Sequence, residues 1–157
     1  MDEYLRKLDE AGMCLMVYEG GSVIFQSQSK GIQPHLEAIA ALGSRLSGTL
    51  LVDKIVGRAA ALLILYSGAV EVHAGVISRG GRDMLERAGV KLFFREETEH
   101  IKMVDGRIYC PFEAMVQGID DPEQAYHAIV EKMESRARDN TYISGNTSYK
   151  KSNTGET

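Results

Sequence analysis

Three short stretches of this chain combine reactive residue types with positions where chemistry commonly happens. They are Asp53-Lys54, Ser78-Arg79-Gly80-Gly81-Arg82 and Cys110-Pro111-Phe112-Glu113. At the first, a strand reading TLLVD gives way to a helical run. A helix start presents free backbone N–H groups and a partial positive charge, so it favours anions. Lys54, with Arg58 one turn later on the same helical face, would add two cations able to hold a phosphate or carboxylate. Asp53 reads either as a general base or as the helix N-cap, a position that Asp favours. Gly57 inside such a helix would cost about 1 kcal/mol relative to alanine, which a close neighbour or a ligand would explain.

The second stretch also follows a strand and opens a helix. Gly80 and Gly81 let the backbone pass close to a bound group, and Arg79 and Arg82 could pair with an anion. A plain tight turn is the competing reading, and the spacing and GK[ST] ending of a Walker loop are missing. In the third stretch, Cys110 precedes a proline at a helix start, where thiol pKa values fall, so it is a candidate nucleophile. Glu113, three residues on, reads as a capping-box carboxylate or as a proton-transfer group. Cys14, within the apolar run CLMVY, reads as a core cysteine. His73 lies in the apolar strand VEVHAGVIS and reads as a core histidine, while His35, His100 and His127 show no ligand spacing. No H-E-x-x-H or C-x-x-C occurs, so neither a metal nor a cofactor is expected.

The elements that must position these residues are legible. Thr49 to Phe94 reads strand, helix, strand, helix, strand with almost no connecting residues, the pattern of a parallel α/β layer. Ligand sites in such sheets lie beyond the carboxyl ends of the strands, where the first two stretches fall. Upstream, residues 2–11 read as a short helix closed by Gly12. Two strands, 13–18 and 23–28, join at Gly20-Gly21 as a hairpin. Pro34 then leads a helix that ends at Gly43. Downstream, residues 96–100 form an acidic connection, and residues 101–110 read as a second hairpin turning at Asp105-Gly106. Asp121-Pro122-Glu123 starts a last helix with Ala125, Tyr126, Ile129, Val130 and Met133 on one face. Residues 1–138 are expected to form one domain and residues 139–157, poor in apolar side chains, a disordered tail.

Composition narrows the function classes. The chain has 157 residues, 44% hydrophobic and 25% charged, which is ordinary for a soluble globular protein. A net charge of −4 argues against a nucleic-acid binder held by phosphate contacts. Two cysteines make no disulfide framework, and a reducing cytoplasm is the expected compartment. The acidic, amphipathic first residues are not a signal peptide. The apolar run from Ala59 to Tyr66 falls far short of the ~20 residues that cross a bilayer, so no membrane partner is expected. Homodimerisation is left open.

From Ser22 to about Met133 the chain resembles an uncharacterised prokaryotic family, domain of unknown function 1893. The resemblance rests on KGIQPHLE, VDKIVGRAAALL, the VEVHAGVIS strand, LERAGV, CPFE and IDDPEQAYHAI. It implies a fold similar to that of cytidine deaminases: a mixed sheet with helices on both faces, in a three-layer α/β/α arrangement. It also marks Asp53, Lys54, Gly57, Cys110, Pro111 and Glu113 as the family's characteristic polar and special residues. Zinc deaminases carry H-x-E and P-C-x-x-C, but the two strand-to-helix junctions here hold Asp53-Lys54 and Ser78 to Arg82. His73-Ala74-Gly75 has Gly where that motif needs Glu, so zinc-dependent deamination is not expected.

The leading expectation is therefore a small-molecule binding module. Lys54 with Arg79 or Arg82 would recognise an anionic or nucleotide-like ligand. The second is a metal-free enzyme with Cys110 as nucleophile and Asp53 or Glu113 moving protons. The third is an interaction module that offers a sheet edge or helix face to a protein partner.

Overall fold

The structure, a computed structural model, describes residues 2–101 and 111–147, with side chains to residue 138. The chain divides into two compact units, Met1–Ala125 and Tyr126–Thr157. In the first unit, α1 (Glu3–Ala11) is followed by β1 (Leu15–Glu19), β2 (Ser22–Ser27) and α2 (Gln33–Leu42). The parallel layer follows as β3 (Leu50–Val56), α3 (Arg58–Ser67), β4 (Glu71–Ser78), α4 (Arg79–Arg87) and β5 (Lys91–Thr98). A short α5 (Pro111–Met115) comes next, and α6 spans Pro122–Thr147. α6 thus continues past Asp139, where the tail was expected to begin. The second hairpin expected at residues 101–110, and Cys110 with it, lies outside the described residues apart from Ile101. Among the described residues no helix is long and apolar enough to cross a membrane.

The five strands form one mixed sheet in the order β2-β1-β3-β4-β5. β1 runs antiparallel to both β2 and β3, whereas β3, β4 and β5 are mutually parallel. Gly20 and Gly21, both at positive φ, make the β1–β2 hairpin turn that side chains would oppose. α1 starts because the Asp2 carboxylate accepts from the Leu5 N–H at 3.1 Å, and it ends at Gly12 in the left-handed conformation. Its Leu5 and Leu8 are fully buried and pack with Met16, Tyr18 and Val52 on one face of the sheet. α3 is apolar all round, with Ala59 to Ile64 buried, as a helix enclosed on several sides must be. Leu62, Leu63 and Ile64 are each worth about 2 kcal/mol of burial. Short right-handed crossovers put α3 and α4 on the sheet face opposite α1, completing the three layers.

Two boundaries differ from expectation. β3 runs to Val56, so Asp53 and Lys54 are strand residues and not a strand-to-helix junction. The β-branched Ile55 and Val56 continue the ladder, opposite Val76 and Ile77 of β4. Gly57 consequently sits at the N-cap of α3 and not in its interior. β5 likewise runs through Thr98, taking in Glu96 and Glu97 where an acidic connection was expected; both side chains are exposed.

Candidate functional site

A cleft of about 260 Å³ opens beyond the carboxyl ends of β3 and β4. Arg58 contributes from the start of α3, and Ser78, Arg79, Gly80 and Asp83 from the β4–α4 junction. Glu99 and His100 come from the segment after β5, and Glu113 and Gln117 from the α5 region. The cleft is thus walled by the first turns of two helices whose N-termini point the same way, as parallel βαβ units require.

The two helix starts are furnished differently. At α3 the Glu113 carboxylate accepts from the Arg58 N–H at 3.1 Å and the Ala59 N–H at 2.9 Å. Glu113 is buried, so the chain's own carboxylate occupies the anion-favouring end of α3. A Cβ on Gly57 would collide with that carboxylate, which explains the glycine by close packing. Arg58 closes a reciprocal clasp. Its Nε donates to the Val116 carbonyl at 2.9 Å and its Nη2 to the Ile119 carbonyl at 2.5 Å and Asp120 at 2.7 Å. At α4, the Ser78 hydroxyl is the N-cap and accepts from the Gly81 N–H at 3.0 Å. Gly81 packs directly on the α3 start, where an added Cβ would lie 3.0 Å from the Gly57 carbonyl oxygen. Gly80 is different: a Cβ there would meet only the Arg58 Cβ, at 3.8 Å, so the space beside it is cleft.

Removing the Glu113 carboxylate is expected to expose the cost of the clasp. Glu113→Ala strands two backbone donors in a buried setting and should lower stability by about 2 kcal/mol in urea denaturation. Glu113→Gln, which keeps one acceptor oxygen, should recover part of that loss.

The residues singled out from sequence are partly brought together. Arg58, Arg79, Gly80 and Glu113 line the cleft, with Gly57 and Gly81 forming the packed floor between the two helices. Asp53 and Lys54 do not line it. Neighbouring strand residues point to opposite faces. Asp53 is buried and bonded to His35 of α2, Oδ2 to Nε2 at 2.6 Å, whereas the Lys54 side chain is exposed. Lys54 therefore shares no helical face with Arg58. Arg82 is engaged with Glu86 and Glu97 and lies over the Phe94 ring. Those two carboxylates raise its pKa further above the ordinary guanidinium range. Cys14 is buried, with its thiol 3.6 Å from the Gln28 carbonyl.

Sequence reasoning missed the His35–Asp53 pair. The partners stand 18 positions apart, so no local spacing marks them. The one local trace is the H-x-E string His35-Leu36-Glu37 near the start of α2. Glu37 is itself held in place: its carboxylate accepts from the Ser27 hydroxyl at 2.5 Å and the Ser29 hydroxyl at 2.8 Å. The Ser27 bond leads in keeping it below the usual carboxylate range, with burial opposing and Ser29 and Gln33 adding to the shift. Among the described residues no group of three or more His, Cys, Asp or Glu side chains is arranged to hold a metal ion.

A mixed five-stranded α/β sheet with a cleft over paired helix starts defines the class of this protein. The family model described as "TM1506: Domain of unknown function (DUF1893)" matches residues 3–133, and the chain belongs to that family. The crystal structure of a DUF1893 family protein, TM1506, from Thermotoga maritima superposes with a TM-score of 0.75 at 29% sequence identity. That match covers 84% of this chain and 92% of the Thermotoga chain. No curated protein matches the chain.

Proposed function

We propose that this protein is a binding module for a small anionic molecule, held in the cleft at the start of α4. The observation that carries this reading is the contrast between the two helix starts. The α3 start is filled by Glu113, while beside Gly80 the α4 start faces open cleft. Arg79 supplies the cation. Its guanidinium is 67% exposed and pairs with Glu99 only at 3.7 Å, a contact weak enough to yield to a ligand. Asp83 and Glu99 on the same walls favour a ligand carrying hydroxyls or an amine beside its anionic group. At about 260 Å³ the cleft suits a compact molecule such as a sugar phosphate, below the usual drug-sized range. The mixed sheet with helices on both faces fits the deaminase-like fold that the sequence resemblance implies. H-x-E at His35 is half of the zinc-deaminase signature, but with only Cys14 and Cys110 in the chain the P-C-x-x-C half cannot be written. Binding stands ahead of metal-free catalysis because the two proposed proton carriers, Asp53 and Glu113, each already serve a buried partner. The two cysteines, too few for a disulfide framework, support a reducing cytoplasm as the protein's compartment.

The test is calorimetric titration with inorganic phosphate and with ribose 5-phosphate. Arg79→Ala is expected to weaken binding about tenfold, the effect of one charge-assisted contact. Gly80→Ala should abolish binding while leaving stability equal or up to about 1 kcal/mol higher, since alanine is the better helix former. Lys54→Ala should change nothing. Unaltered affinity in both the Arg79 and Gly80 variants would refute the site.

A further inference from the structure

His73 faces a carboxylate at each ring nitrogen. Nδ1 lies 2.6 Å from Asp2 Oδ2 and Nε2 lies 2.7 Å from Glu71 Oε2. The ring is 7% exposed at its side chain and sits stacked on Phe93, with centroids 4.7 Å apart and planes 18° apart. Tyr4 lies against it at 4.7 Å. A carboxylate can only accept, so both nitrogens must donate, and only the imidazolium has two N–H groups. The neutral ring has one donor: given to Glu71 on the same strand it breaks the tie to α1, and given to Asp2 it keeps that tie without its charge and turns a lone pair toward Glu71. Asp2 is at the same time the N-cap of α1, accepting from Leu5 through its other oxygen. The imidazolium therefore joins the first turn of α1 to the sheet through a single bridging carboxylate.

We infer that α1 is held on the sheet by a proton-dependent latch, closed when His73 is doubly protonated and loosened when it loses a proton. The sign follows from the partners: the contact is complete on the acid side and is lost as pH rises. Asp2 supports the geometry. Burial opposes its charge, but the bond to His73, the Leu5 N–H and the His73 charge outweigh it and hold its carboxyl below the usual range. Among the described residues, the other titratable groups around the ring are Tyr4, itself edge-on to Tyr18, and Lys91 over Phe93. The Asp9–Arg95 ion pair, at 2.9 Å, also ties α1 to β5. Loosening α1 uncovers the apolar cluster of Met16, Tyr18 and Val52 beneath it. The latch lies five residues upstream of Ser78 on β4, about 17 Å along the strand from the cleft, so it stands apart from the proposed ligand site.

The test is amide hydrogen exchange of α1 in the full chain between about pH 5.5 and about pH 8.5, corrected for intrinsic exchange. α1 opening is expected to rise about tenfold over that range, the loss of one charge-assisted bond. Glu71→Gln is the decisive variant. A glutamine amide donates to Nε2, so a neutral ring can donate to Asp2 through Nδ1 and keep both contacts. In Glu71→Gln, α1 protection should therefore be flat with pH and equal to that of the wild type at low pH. Flat protection in the wild-type chain, or the wild-type pH response persisting in Glu71→Gln, would overturn the latch.

Discussion

Gly75→Ala is expected to cost about 3 kcal/mol or more, read as a fall in the urea midpoint at constant slope. Gly75 stands on β4 between Ala74 and Val76, whose partners on β3 are Asp53 and Ile55. A Cβ at this position would lie 2.6 Å from the Lys54 carbonyl oxygen and 3.4 Å from its carbon. Both are backbone atoms in the middle of the sheet, with β1 behind β3 and β5 behind β4. Nothing there can swing aside, so relief requires pulling apart a ladder on which two crossover helices are mounted. Gly80→Ala is the matched control, because the same methyl at that position meets no backbone. Equal stability of the two variants would mean that β3 and β4 do not approach as closely as described.

Asp53→Ala should be comparably damaging, about 3–5 kcal/mol, the range found when one member of a buried pair is removed. The Asp53 and His35 side chains are 6% and 3% exposed and meet at 2.6 Å. Asp53 also receives the Ile55 N–H at 3.3 Å. Truncation leaves the His35 ring nitrogen facing a cavity with no acceptor or donor from β3. Asp53→Asn separates shape from charge. Its amide can accept from Ile55 and donate to an unprotonated Nε2, so it should retain most of the stability if the bond itself matters. A loss in Asp53→Asn as large as in Asp53→Ala would show that the carboxylate charge is essential to the pair.

Most of the parallel layer was readable because its strands are short apolar runs and its helices begin and end on cap residues. Ser78 followed by Arg79-Gly80-Gly81 was placed correctly for that reason, with the hydroxyl acting as the cap. The first helix of this layer begins four residues later than the sequence pattern suggests, at Arg58. Lys-Ile-Val fits a helix whose apolar run continues through Ala59 to Ile64, and only the pairing of Ile55 and Val56 with β4 decides for strand. That shift separates Asp53 from Lys54 by a whole sheet thickness and undoes the cation pair expected of Lys54 and Arg58. The sequence marks Gly57 as a point of close approach, and the group that approaches is the Glu113 carboxylate. Glu113 lies 55 positions beyond Arg58 in sequence, and only the fold returns it to the start of α3. His35 was invisible in the same way, since its meaning comes from a strand 18 residues downstream.

The central claim is that the α4 start, and not the α3 start, is the anion site. It is tested most directly by following backbone amide resonances of ¹⁵N-labelled protein during titration with inorganic phosphate. The account predicts saturable shifts concentrated at Arg79, Gly80 and the neighbouring first turn of α4. The amides of Arg58 and Ala59, already bonded to Glu113, should stay in place. Shifts centred on Arg58 and Ala59, or no saturable change at Arg79 and Gly80, would contradict it.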